Sequence, residues 1–364
     1  MNTVSEWGVL AGGILGVFAL GVFILKRQKK EVPTNNNKKN ERDEKTSSGQ
    51  DIVFQCQRST ALKIAMYQLA LGEINFQQPL TSNQVALIKN IAKELPRSVK
   101  NEKYFPRRPQ LLPQLLRIMR DDKSSVKDLT NVLSQDPVLT GNVIKMANSS
   151  YYRSGVKAVD SIERAVVLLG EQGLRSLMSA TIMHPVFYVP EGAFKDFSRF
   201  YWSQAVLAAE ASKHYAESTG SYDSFSAHFF SLLTSISYTV LLRLAADFQR
   251  SHSNAELSPL FLVKVFESHS LEVSKFIATD WKLGEDVLLA LQQTRKKTSV
   301  NKMGSLARTL YYGRLVGTAA LLCSQGARDE QESLELLKDK GLSESMIKTL
   351  WAQAIKQAKE SELT

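Results

Sequence analysis

A divalent metal that activates water for phosphate-ester cleavage is held by imidazole and carboxylate ligands, and adjacent His and Asp residues supply both. The five histidines of this 364-residue chain are His184, His214, His228, His252 and His269, followed by Pro, Tyr, Phe, Ser and Ser. No His-Asp dyad occurs. Cys56 and Cys323 match no CxxC or Cys/His ligand spacing. Two cysteines also give no disulfide framework, which fits a reducing compartment. No GxSxG supports a serine hydrolase. His214 and His228 are therefore expected as partly buried, hydrogen-bonded helix residues rather than ligands. No metal or other cofactor is implied.

Recognition chemistry has better support. Asn148, Tyr151, Tyr152 and Arg153 form a polar-aromatic turn, and exposed aromatics beside Arg are the residue types that dominate interfaces. The alternative is that both tyrosines pack against the following helix. Two helices must position this turn. Asp136-Pro137 starts the first, since Asp accepts a free first-turn N–H and Pro lacks one. Leu139, Val143, Ile144 and Ala147 give it an apolar face, and Asn148-Ser149-Ser150 end it. The second runs from Ser161 to Leu169, with Arg164 three residues after the Ser so that no capping box closes it. It is expected to stop at Gly170, the residue type that tolerates a left-handed C′ position.

The order DP…L…ANSxYY…SIxxAVxLLG over 136–170, with LRSLM at 174–178, resembles the HDOD family, the HD-related output domain of bacterial signalling proteins. The resemblance runs from about Phe105 to the C-terminus and weakens after residue 300. It implies an all-helical, HDOD-type bundle and a regulatory role. Related phosphohydrolases hold metal on His and Asp, and the family often reads AGLLHDIG where this chain has Phe230 to Ser237 (FSLLTSIS), so the His-Asp pair falls on Thr234-Ser235. Where WxHS is common stands Trp202-Ser203-Gln204-Ala205. The family's HAEVG resembles Ser270 to Ser274, with Ser270 at the His position, and the helix that often ends in a His pair reads Leu291-Gln-Gln-Thr-Arg295. Hydroxyls and amides at Gln204, Thr234, Ser235 and Ser270 cannot match imidazole and carboxylate as ligands for a transition metal.

Ahead of this body, Trp7 to Leu25 is nineteen residues without a charge, about 28 Å as a helix and close to the thickness of a bilayer core. Lys26, Arg27, Lys29 and Lys30 follow, which by the positive-inside rule places the bulk of the chain in the cytoplasm of a bacterial inner membrane, with one pass. A cleaved signal peptide would show a basic leader and a small-x-small cleavage site, and neither is present. Gly8, Gly12 and Gly16 share one face of that helix. They form either a dimerisation stripe or the ordinary glycine content of a membrane helix.

Four segments are expected: an anchor at 1–25, a charged linker at 26–50, a helical extension at 51–104 and the HDOD-like domain at 105–364. The linker is too polar to order itself, and its typical end-to-end distance is on the order of 25–30 Å. In the extension, Thr60 to Leu71 and Ser82 to Leu95 show helical spacing, packed on the body or just ahead of it. Further helices are expected from Val126, over Phe200 to Tyr215, over an apolar central Ser226 to Phe248, and over Met303 to Cys323 and Ser343 to Lys359. A division into two subdomains would fall near Pro185 to Pro190.

The net charge is +10, of which residues 26–50 supply +4. Arg107-Arg108 and Arg295-Lys296-Lys297 are local basic clusters; a solvated basic face near an anionic leaflet is the simplest reading. No helix-turn-helix, zinc finger or RNP-like segment points to specific nucleic-acid binding. The expectation is a non-catalytic, membrane-anchored adaptor or sensor working through protein partners. The alternatives are a module holding a nucleotide or small anion in the degenerate cavity, where Gln292 would join the other polar groups, or a metal-dependent phosphohydrolase.

Overall fold

The computed structural model describes residues 61–98, 104, 113–114, 117–118, 125–133, 135, 137–149, 158–187, 194, 196–251, 256–295 and 298–362. Nearly all of these belong to one compact unit, Leu62–Thr364. Every regular element among them is helical: α1 (Ala61–Leu71), α2 (Ser82–Ser98), α3 (Val126–Leu133), α4 (Pro137–Ala147), α5 (Ile162–Met183), α6 (Phe197–Thr219), α7 (Ser224–Ser251), α8 (Pro259–Asp280), α9 (Glu285–Arg295), α10 (Ser305–Ser324), α11 (Glu330–Asp339) and α12 (Glu344–Glu362). Short 3-10 turns lie at His184–Phe187 and Val300–Lys302.

Local chemistry sets several boundaries. Ser125 Oγ accepts from Asp128 N at 3.3 Å while Asp128 Oδ2 accepts from Ser125 N at 2.8 Å, so two free donors are satisfied reciprocally at the start of α3. Ser161 Oγ caps α5 through Arg164 N, and Ser258 Oγ caps α8 through Phe261 N. The stop expected at Gly170 is a break rather than an end. Gly170 has φ 68° and ψ 175°, a backbone state that a Cβ would strain, and helix resumes on its far side to Met183.

α7 lies at the centre, with Phe225 to Leu242 buried on every face and Leu244 and Ala245 beyond. Its length and composition would allow it to cross a membrane, but 83% of its apolar window is buried inside the protein, which makes it a core helix. α5, α6 and α8 pack around it. The division expected near 185–190 is absent: Met183, Phe187, Phe197 and Phe200 lie in one continuous hydrophobic cluster, because the helices on both sides of that link rest on α7.

A second apolar cluster joins α10, α11 and α12 to Ala211 and Tyr215 of α6. α1 takes part in both. Leu62 belongs to the C-terminal cluster, whereas Met66, Tyr67, Ala70 and Leu71, with Ile74 just beyond the helix, belong to the central one. Each such large side chain contributes about 1.5–3 kcal/mol relative to exposure. The extension therefore packs on the body as part of its core. α2 adds Leu87, Ile91 and Leu95 to that core, and Gln84 Nε2 donates to Glu256 O and Ser258 Oγ, both at 3.0 Å. The expected anchor at 7–25 lies outside the described residues.

Candidate functional site

Gln204 on α6 and Ser235 on α7 face each other, both buried. Ser235 Oγ donates to Gln204 Oε1 at 3.0 Å, and Gln204 Nε2 donates to Thr318 Oγ1 of α10 at 3.2 Å. Three helices are thus joined by an uncharged chain of hydrogen bonds. Thr234, the next residue on α7, instead bonds Ser231 O on its own helix at 2.8 Å. Ser270 is buried on α8 and Gln292 half-buried on α9, and no hydrogen bond joins either to Gln204 or Ser235. The structure brings together two of the four degenerate positions and adds Thr318, which the sequence reading did not single out.

The close approach of α6 and α10 explains Thr318. A Cβ on Gly313 would fall 1.9 Å from Ser212 Oγ and 2.6 Å from Ala208 O, and one on Gly317 would fall 2.4 Å from Ala208 N. Only residues without side chains let the two backbones come this near, and the next residue after Gly317 then reaches Gln204.

One helical turn from this network lies an aromatic layer. Tyr201, three residues before Gln204, packs on Tyr238, three residues after Ser235, at 4.9 Å between centroids. Opposite sequence directions at matched levels make α6 and α7 antiparallel. Phe266, four residues before Ser270, meets Tyr238 edge-on at 5.4 Å. Tyr67 of α1 completes the layer, 6.0 Å from Phe266 and 6.4 Å from Tyr238. Its hydroxyl donates to Glu267 Oε1 at 2.5 Å, and Lys63 pairs with the same carboxylate. Burial, then the neighbouring Tyr238 and Tyr201, push the Tyr67 hydroxyl well above its ordinary pKa. The extension thus covers this side of the degenerate site with aromatic rings.

Two turns along α6 in the other direction lies a charged cluster. Glu210 Oε1 is 3.2 Å from Nε2 of the fully buried His228 on α7, a close polar contact poorly aligned for a hydrogen bond. Glu210 Oε2 lies 3.7 Å from Lys213 Nζ and 3.9 Å from His214 Nε2. Burial alone would raise the Glu210 pKa; contact with His228, then Lys213 and His214, overrides it and holds the carboxyl down to about 2. Lys213 Nζ donates to Ser176 Oγ of α5 at 3.2 Å, and His214 Nδ1 lies 2.9 Å from Glu217 Oε2. Ser176 beside Lys213 has the spacing of a Ser-Lys hydrolase pair. Ser176 is nevertheless buried within α5, and the Lys213 ammonium is also paired with Glu210. Among the described residues, no three His, Cys, Asp or Glu side chains form a group able to hold a metal ion.

Asn148, expected at an interaction surface, works inside the fold. Its Nδ2 donates to Ile144 O at 2.9 Å and Val159 O at 2.6 Å, and its Oδ1 accepts from Val159 N at 2.8 Å. The side chain ties the end of α4 to the approach to α5. Tyr151, Tyr152, Arg153, Gly8, Gly12 and Gly16 lie outside the described residues, as do Arg107 and Arg108.

No curated protein gives a sequence match to this chain. Its fold is similar to that of a candidate metal-dependent phosphohydrolase from Shewanella amazonensis SB2B, at 15% identity and a TM-score of 0.52 over 77% of this chain and 99% of that one. An HDOD domain protein of unknown function from Geobacter sulfurreducens gives 17% identity and 0.52 over the same shares. A candidate phosphohydrolase, also from Shewanella amazonensis SB2B, gives 19% identity and 0.50 over 78% and 98%. At these identities the likeness is one of fold. The HDOD domain model matches residues 105–296, beginning where the sequence resemblance begins, and on that match the chain belongs to the HDOD domain family.

Proposed function

We propose that this protein is a catalytically silent HDOD regulator, anchored in the bacterial inner membrane by residues 7–25, that acts as an adaptor or sensor through protein partners in signalling. The observation that carries this reading is the closed chain Ser235–Gln204–Thr318. Where relatives often place His and Asp, this chain has neutral groups that satisfy one another across three helices. A divalent metal needs anionic and imidazole donors to balance its charge, and these positions provide none. The uncharged run at 7–25 and the four cations within the next five residues support the anchor. Self-association through Gly8, Gly12 and Gly16 belongs to the same reading.

A module for nucleotides or small anions draws less support, because Gln204 and Ser235 are already bonded to each other and Thr234 to its own helix. A thermal-shift panel of nucleotides is expected to be flat, since stabilisation follows ligand concentration over Kd. The names of the Shewanella proteins supply the other alternative. Phosphomonoester or phosphodiester turnover that depends on added Mn²⁺ would sink the silent reading.

The direct test is an in-membrane crosslinking pull-down of the full-length protein against a form lacking residues 1–25. Partners lost with the anchor are the expected result. An identical partner set in both would remove the membrane from the mechanism.

A further inference from the structure

α2 presents a face whose composition the regulatory reading has not used. At about 100° per residue, its buried residues Gln84, Leu87, Ile91, Leu95 and Ser98 cluster on one side. Val85, Lys89, Lys93 and Arg97 recur every four residues and centre on the diametrically opposite side. Val85 is 41% exposed, the Arg97 side chain is 79% exposed, and both lysines are exposed. Ser82, Ala86 and Pro96 complete this outer face, and no carboxylate lies on it. Glu94, at the flank, pairs with Arg97 at 3.3 Å, while Lys89 and Lys93 form no ion pair among the described residues.

We propose that this stripe is a docking surface for an anionic lipid leaflet, which lays the body against the membrane that the anchor enters. Three inputs argue for that occupant. The face is cationic with an exposed apolar residue at one end, the complement of anionic headgroups over an acyl boundary. The helix that carries it belongs to the extension that immediately follows the tether, whose typical reach is about 25–30 Å. Tethering keeps the local lipid concentration high, so a small number of cations suffices where a free protein would need more. Docking would fix which side of the body faces the cytoplasm, leaving the opposite side for partners. The inference rests on the anchor of the preceding section, and the test separates the two.

Full-length protein carrying Val85→Cys, with Cys56→Ser and Cys323→Ser, would be labelled with an environment-sensitive fluorophore. It would be reconstituted into phosphatidylcholine vesicles with or without phosphatidylglycerol, each containing a lipid-borne quencher. Quenching is expected in the anionic vesicles and several-fold less in the neutral ones. Lys89→Glu with Lys93→Glu should bring the anionic value down to the neutral one without changing Tm, since neither side chain holds another element. High salt should do the same. Protein that stays in carbonate-washed vesicles, yet quenches independently of lipid charge or of the reversal, overturns the stripe alone. Protein stripped by carbonate overturns the anchor and the docking with it.

Discussion

Two buried polar clusters share α6 and α7 within about two turns of each other, and they are built on opposite principles. The one at Gln204, Ser235 and Thr318 contains no charge, and every contact is a neutral hydrogen bond between helices. The one at Glu210, Lys213 and His228 is ionic, with a carboxylate held ionised by its neighbours. Removing a single member should cost about 3–5 kcal/mol in the ionic cluster and about 1–3 kcal/mol in the neutral one, whereas replacing a whole network by apolar groups of the same shape can cost little. The degenerate metal position should thus be the more tolerant of single substitutions, and the ionic cluster the less tolerant.

The largest break in that contrast should come from Glu210→Ala. It leaves Lys213 buried without its counter-ion, and a loss of about 3–5 kcal/mol is expected in urea unfolding. The same carboxylate sets an acid limit. Because its folded pKa is depressed, its contribution is present above the ordinary value of 4.5 and is lost as pH falls toward about 2. Up to roughly 3 kcal/mol is at stake over that window. Stability measured against pH should fall less steeply there in Glu210→Gln than in the wild type.

Gly317→Ala tests the helix approach that the neutral network needs. Its Cβ would meet the Ala208 backbone at 2.4 Å, so a loss of about 1–3 kcal/mol is expected, read as a lowered Tm. Gln204→Ala should cost about 1–3 kcal/mol by leaving the Ser235 and Thr318 hydroxyls without their partner. The sharpest comparison is the smallest effect. Gln204→Leu combined with Ser235→Ala and Thr318→Val should return stability to within about 1 kcal/mol of the wild type. A triple variant as damaged as Glu210→Ala would erase the distinction between the clusters.

What could be read in the sequence was local or carried by family register. Ser125 and Ser161 announce helix starts because a cap acts over three residues, and Gly170 announces a break for the same reason. Family register singled out Gln204, Thr234 and Ser235 alike, and helical phase decided that Ser235 meets Gln204 while Thr234 turns to its own backbone. Contacts across the fold were invisible. Inspecting the residue after each histidine could not reveal Glu210, because its pairing with His228 joins two helices eighteen residues apart. The signal was there in Glu210, Lys213, His214 and Glu217, charges at three- and four-residue spacing on a helix otherwise rich in buried alanine. Thr318 and the Gly313/Gly317 pair lie beyond residue 296, outside the family match. Asn148, expected at an interaction surface, bonds Ile144 and Val159 within the fold, since the types that favour interfaces also close turns.

The position of α1 has a consequence for synthesis. Leu62 leaves the ribosome long before Leu350 and Trp351, yet it packs in the same cluster as these two residues. Until α12 is released, α1 waits with part of its apolar surface uncovered, and these contacts are of the long-range kind that form slowly. A chain stalled or truncated near residue 300 would carry the whole family-matched segment and still leave Leu62 of α1 without its cluster. Nascent-chain pulse proteolysis should therefore show full protection of α1 only once α12 has emerged.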